Sequence, residues 1–222
     1  GLWMAVLAGV DVLQHPETVG GARLPAELVD TLQARGTICA LMPAVVTGAE
    51  WARFQRHLEL GGRMWPAEKP PAMMEAEADS LRRSGIDPRT RPRSASVTRF
   101  QNQRLNAESL IRDGCLVAVA SDEVVALPGA KSRRAFGEQF LDGVEGLVEL
   151  GMTPGDALVS ATRNAAAAAG QLNEIGTIAP GKRADLVILE ADPLADIGNI
   201  RRVATVIHGG RVFAGGRRTG KP

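Results

Sequence analysis

Apolar and polar positions fall into short blocks along the chain, and the period changes from block to block. Residues 3–8 have the spacing of a helix end, with Gly9 as the stop. VDVL follows as a short strand, halted by Gln14, His15 and Pro16. Residues 25–34 return to helical spacing: Pro25 suits a first position, Leu28, Val29 and Leu32 share one face, and Gly36 ends it. TICALMP is a second strand. Residues 47–96 read as a long irregular excursion, with helical character only over 51–60 and 72–83. Residues 97–112 give a third helix, CLVAVAS a third strand that ends at Ser121 and Asp122, and residues 135–150 a fourth helix. Phe136, Phe140, Val144, Leu147 and Val148 form the stripe of that helix.

Helices and short, almost wholly apolar strands therefore alternate, which predicts an α/β fold with a parallel sheet covered on both faces. In such folds chemistry collects at the carboxyl ends of the strands. His15 and Asp122 both stand there. After Met152 the pattern changes. TPGDALVSATRNAAAAAG predicts one capped helix, with Thr153 as N-cap, Pro154 at the first position, Asp156 in the first turn and Gly170 as the stop. Residues 186–189 read as a buried strand. VATVIHGGRVFAGG reads as two strands joined by Gly209 and Gly210, a pair suited to the positive φ angles of a two-residue hairpin.

Composition narrows the picture further. Of 222 residues, 45% are hydrophobic, enough for a sizeable core, and no apolar run reaches the roughly 18 residues of a membrane span. Lys+Arg is 26 and Asp+Glu is 25, giving a net charge of +1. That balance provides no electrostatic reason to expect nucleic acid or an anionic membrane as partner. The basic tract 82–104 carries prolines and serines and reads as a solvated loop and helix start. Cys39 and Cys115, the two cysteines, read as buried free thiols, and the expected compartment is the cytoplasm.

GTIAPGKRADLVILEADPLADI followed by VATVIHGGRVF resembles the carboxyl-terminal signature of the amidohydrolase superfamily, in the branch of imidazolonepropionase and the prolidase-like enzymes. The helix before it is similar to the segment that precedes that signature. GVDVLQHP resembles the sixth barrel strand and CLVAVASDE the eighth. The resemblance implies the carboxyl-terminal part of a (β/α)8 TIM barrel, strands six to eight, over residues 1–170. Residues 171–222 would then be part of a small β-sandwich. It also implies a divalent metal, zinc above all, as one or two ions. His15 takes the place of the strand-six ligand, and Asp122 that of the strand-eight ligand and proton shuttle. No His-x-His pair occurs among the three histidines, so the chain reads as beginning in the helix after strand five. Gln14-His15-Pro16 replaces the usual Glu-His-Gly, and Ser121-Asp122-Glu123 the usual Thr-Asp-Ala.

A neutral imidazole and a carboxylate suit zinc, which makes a bound water acidic enough to attack a carbonyl. Asp122 would take the proton and pass it to the leaving nitrogen of an amide, lactam or dipeptide-like bond. The expected partner is a small-molecule substrate, with a homo-oligomer also open. His57, after the second strand, is a substrate-contact candidate set against a solvated loop histidine. Arg53, Arg56 and Arg63 are candidates for a substrate carboxylate, set against a solvated face. His208 reads as structural. The rival reading is a non-catalytic binding or assembly protein derived from a truncated amidohydrolase.

Overall fold

β2 (Ile38–Leu41) is apolar and buried at every position, as a strand covered on both faces must be. The computed structural model describes residues 1–67, 69–122 and 137–214. β1 (Val12–Gln14) and β3 (Leu116–Val119) flank β2 in a parallel sheet of order β1-β2-β3, with Val12 opposite Ile38 and Ile38 opposite Leu116. α1 (Leu2–Leu7) precedes β1, and α2 (Ala26–Arg35) joins β1 to β2. Between β2 and β3 come α3 (Gly48–Glu59), α4 (Pro71–Arg83) and α5 (Ala95–Arg112). α6 (Glu138–Glu149), α7 (Pro154–Ala161) and α8 (Arg163–Ala168) follow β3.

The main core joins Leu28, Val29 and Leu32 of α2 to Cys39 and Leu41 of β2, Val117 of β3, and Val144 and Leu147 of α6. Both cysteines are buried and free, as expected. A hydrogen bond with Cys115, together with burial, pushes the Cys39 thiol well above its ordinary range, so it stays protonated. A second core lies under the α3–α5 crossover, where Phe54 meets Trp51, Trp65 and Phe100 at ring-centroid distances of 5.1, 5.2 and 4.7 Å. Among the described residues no helix is long and apolar enough to cross a membrane.

β4 (Leu186–Leu189), β5 (Val203–His208) and β6 (Arg211–Ala214) form a separate antiparallel sheet. The Gly209-Gly210 turn has φ of 56° and 77°, the pair of positive angles the sequence predicts. Asp185 accepts a 2.7 Å bond from the Gly209 amide and holds that turn. The Ile197–Arg201 turn is tied back to α6 through Arg201, whose guanidinium pairs with Glu145 at 2.6 Å, Asp142 at 2.6 Å and Glu138 at 3.0 Å.

Several expectations change. The 47–96 excursion is largely helical: α3 and α4 pack on the apolar clusters of Phe54 and of Leu60, Met74 and Ala78. The single helix expected over 153–170 is two, because Thr162 leaves helical geometry at φ −125° and ψ −83°. Its hydroxyl bonds the Leu158 carbonyl at 2.7 Å, a local bond that competes with the helix. The Thr153 cap holds as expected, accepting from the Asp156 amide at 3.1 Å. β4 is not a buried strand. Val187 and Ile188 are 57% and 51% exposed, since no second layer covers them among the described residues. The first strand begins two residues later than expected and ends one residue later, at Gln14. Phe136 and the start of the fourth predicted helix lie outside the described residues.

Phe54 is wholly buried and touches three other rings. Phe54→Ala is expected to lower unfolding free energy by about 3–5 kcal/mol in urea titration followed by tryptophan fluorescence. A loss under about 1 kcal/mol would mean the crossover core collapses without cost.

Candidate functional site at the carboxyl ends of the parallel strands

Among the described residues only two non-glycine positions have positive φ, His15 at 51° and Asp122 at 48°. They are the two residues that the sequence singled out. Each lies just past the carboxyl end of a strand, His15 after β1 and Asp122 after β3. β2 lies between the two strands, so the strand axes are about 10 Å apart at two sheet spacings. Left-handed geometry costs a residue with a side chain roughly 1–2 kcal/mol. Such strain collects at functional sites, where surrounding bonds over-determine it.

The bonds around His15 do this. Its amide donates to the Ala40 carbonyl at 2.9 Å, continuing the β1–β2 ladder by one rung. Its carbonyl accepts from the Thr18 amide at 3.0 Å and the Thr18 hydroxyl at 2.8 Å. Beyond it, the Pro16–Gly21 turn is held by α5. Asn106, fully buried, donates to the carbonyls of Glu17 at 3.1 Å and Ala22 at 2.8 Å and accepts from the Leu24 amide at 2.9 Å. Asn102 adds a 2.7 Å bond to the Gly21 carbonyl. The His15 Nδ1 is buried and has no hydrogen-bond partner among the described residues. A buried imidazole nitrogen facing no donor or acceptor is suited to a metal. Asp122 is exposed, and beside it the Ser121 carbonyl accepts from the Gln139 amide at 2.8 Å. An imidazole nitrogen and a carboxylate fit a divalent cation, but they are two donors where a catalytic zinc site has three from protein. Among the described residues no group of three or more His, Cys, Asp or Glu is placed to hold a metal.

Glu17 was missed by sequence reasoning. It is 1% exposed, accepts the Met42 amide at 2.9 Å through Oε1, and leaves Oε2 without a partner among the described residues. It therefore ties the turn after β1 to the carboxyl end of β2. Burial pushes its carboxyl up to about 7 from an ordinary 4.5, against the lowering effect of the Met42 bond. The titratable group facing it from β2 is the Cys39 thiol. An acid next to Pro16 reads from sequence as a turn residue, and nothing in the spacing marks it as buried.

The other candidates separate. His57 is not a loop histidine: it lies on α3, is buried, and meets the Trp65 ring edge-on at 5.3 Å. Arg56 pairs with Glu59 and Glu75 in solvent, and Arg63 bonds the Pro92 carbonyl. His208 pairs with Asp185 at the hairpin, away from the parallel sheet. Arg53 lies over the Trp65 ring at 5.1 Å and lines a cleft of about 500 Å³. Ala44 and Val45, in the turn after β2, and Gln139 on α6, whose side chain bonds the Ser121 carbonyl next to Asp122, line the same cleft.

The amidohydrolase family model matches residues 62–213. The chain belongs to the amidohydrolase family. Among curated relatives, it is 34% identical over 116 residues to the imidazolonepropionase of Geobacillus kaustophilus (strain HTA426), covering 48% of this chain and 24% of that one. It is 42% identical over 83 residues to the imidazolonepropionase of Symbiobacterium thermophilum, covering 37% and 18%. It thus spans about a quarter of the curated relatives' length. Among solved structures, a molinate hydrolase aligns over 96% of this chain and 40% of its own, with TM-score 0.70 and 23% identity. A Xaa-Pro dipeptidase aligns over 96% and 42%, with TM-score 0.64 and 20% identity. These likenesses fix the amidohydrolase-type α/β fold, in the branch that the tail signature resembles.

Two outcomes test the geometry. Asp122→Gly is expected to raise unfolding free energy by about 0.5–1 kcal/mol in urea denaturation, because glycine relieves the left-handed strain; a loss would show that the position carries none. Glu17 binds a proton in the folded chain between pH 4.5 and about 7, where the unfolded chain has released it. Its stabilising contribution is therefore complete below the lower value and is lost as pH rises through the upper one. Relative to Glu17→Gln, the unaltered chain should lose on the order of 3 kcal/mol across that window, and parallel stability–pH curves would contradict the assignment.

Proposed function

We propose that the chain is the carboxyl-terminal portion of a metal-dependent hydrolase of amide, lactam or dipeptide-like C–N bonds. In this reading residues 1–170 supply strands six to eight of a (β/α)8 barrel, and residues 171–222 part of a β-sandwich. The observation that carries it is the shared left-handed geometry of His15 and Asp122 at two strand ends of a family member. The relatives' names point to the same bond class: one is an imidazolonepropionase, another a Xaa-Pro dipeptidase solved with methionine in its active site.

His15 and Asp122 would hold a divalent cation, most readily zinc, with further donors from outside the described residues. Such a cation supplies an acidified water and polarises a carbonyl. The strained backbone fixes both donors at the sheet rim, so neither has to reorganise when substrate arrives. The Asp122 carboxylate is exposed and free to accept a proton from the attacking water and return it to the leaving nitrogen. The buried turn behind His15, with Pro16 and Glu17 packed against β2, keeps solvent off that side of the imidazole.

Metal content and turnover of the full-length protein test this together. Stoichiometric zinc by elemental analysis is expected, falling in His15→Ala and Asp122→Asn. Hydrolysis of an N-acyl amino acid panel should fall about 10²–10⁴-fold in Asp122→Asn. Trace metal in the unaltered protein, with turnover insensitive to Asp122→Asn, would overturn the reading in favour of a non-catalytic assembly protein.

A further inference from the structure

The cleft of about 500 Å³ beside the strand ends has the size of a small-molecule site and a composed lining. Trp65 and Phe100, 5.5 Å apart and tilted by 52°, make an aromatic wall, with both rings about nine-tenths buried. Phe54 backs both rings, at 5.2 and 4.7 Å. Gln103, one turn along α5 from Phe100, is 9% exposed and makes no hydrogen bond among the described residues. A primary amide carries two donor hydrogens and one acceptor oxygen, which a bound group can use. This amide lines the cleft, so the cleft offers it a partner.

The charges in the lining are unequal. Arg53 and Glu50 pair at 2.8 Å and cancel, and Arg53 is also stacked over Trp65. Arg99 has no ion pair or hydrogen bond among the described residues, and it is exposed. Its side chain runs across Gly21, with Cβ, Cγ and Nε at 3.0–3.2 Å from where a Gly21 side chain would begin. Gly21 ends the turn that starts at His15. Arg99 therefore lies between the aromatic wall and the turn that fixes the proposed donor. Among the described residues the Arg99 guanidinium thus has no carboxylate partner and suits a negatively charged group on a ligand.

Resting on the hydrolase reading above, we infer that this cleft selects the substrate class: amides carrying an aromatic or large apolar group and a carboxylate. The apolar group lies on Trp65 and Phe100, Gln103 bonds the amide, and Arg99 takes the carboxylate in a charge-assisted bond. The crossover between β2 and β3 is then the specificity element, separate from the donors that do the chemistry.

Binding of N-acetylphenylalanine and its uncharged amide tests this directly, by tryptophan fluorescence and calorimetry on the full chain. The acid is expected to bind about tenfold tighter than the amide, the value of one charge-assisted hydrogen bond. Arg99→Gln should bring the acid down to the amide's affinity and leave the amide unchanged. Gln103→Leu should weaken both, and N-acetylalanine should bind several-fold less tightly than N-acetylphenylalanine. Equal binding of acid and amide by the unaltered chain, or a preference that survives Arg99→Gln, would overturn the inference. The hydrolase reading fails separately: an acid preference in a protein holding only trace metal leaves the cleft standing without the catalyst. Stoichiometric metal without an acid preference does the reverse.

Discussion

Asn106 holds the turn on which the candidate site depends. The segment after β1 runs inward, and its backbone groups would be orphaned without a partner. Asn106 answers three of them, the carbonyls of Glu17 and Ala22 and the amide of Leu24, from a side chain with no exposure of its own. Asn102 answers a fourth, the Gly21 carbonyl. Each bond contributes about 1 kcal/mol net, and its loss would cost more through burial of the unpaired group. Together these bonds outweigh the roughly 1–2 kcal/mol of left-handed strain at His15. The strained residue persists because α5 leaves the turn no relaxed alternative.

The same helix sets the cleft. Asn102 and Asn106, four residues apart, stand on one face of α5, and Phe100 and Gln103, three apart, on a neighbouring one. A helix is stiff over this length, so the turn after His15 and the aromatic wall are fixed to one frame. A substrate lying on Phe100 would be positioned relative to His15 by α5 itself. That is the arrangement that converts binding contacts into orientation at the reacting bond.

The sequence made some of this legible and hid the rest for definite reasons. Short apolar runs marked the parallel strands, most sharply β2, where burial at every position admits little else. The Gly209-Gly210 hairpin and the Thr153 cap were readable because turn and cap chemistry is local. The helices of the crossover were readable only in part: α3 buries Phe54 and His57, and α4 only Met74 and Ala78, too few positions for a clear stripe. His57 and Glu17 were misjudged or missed because burial of a polar side chain depends on what packs over it. Asn106 in the middle of a helix reads as a solvent-facing residue until the turn that it bonds is in place.

The positions of His15 and Asp122 were legible, but their backbone state was not, and it carries the stronger argument. Fourteen glycines among the described residues take positive φ. Wherever the chain needs left-handed geometry and nothing of the side chain, it uses the residue that adopts it freely. At His15 and Asp122 it keeps an imidazole and a carboxylate instead. Aspartate tolerates the left-handed region better than histidine, yet neither is the lowest-energy choice. Glycine would complete the turn after β1 as well as the chain's other turns are completed. In the reading proposed above the side chains account for the exception: an imidazole and a carboxylate at the strand ends of one parallel sheet.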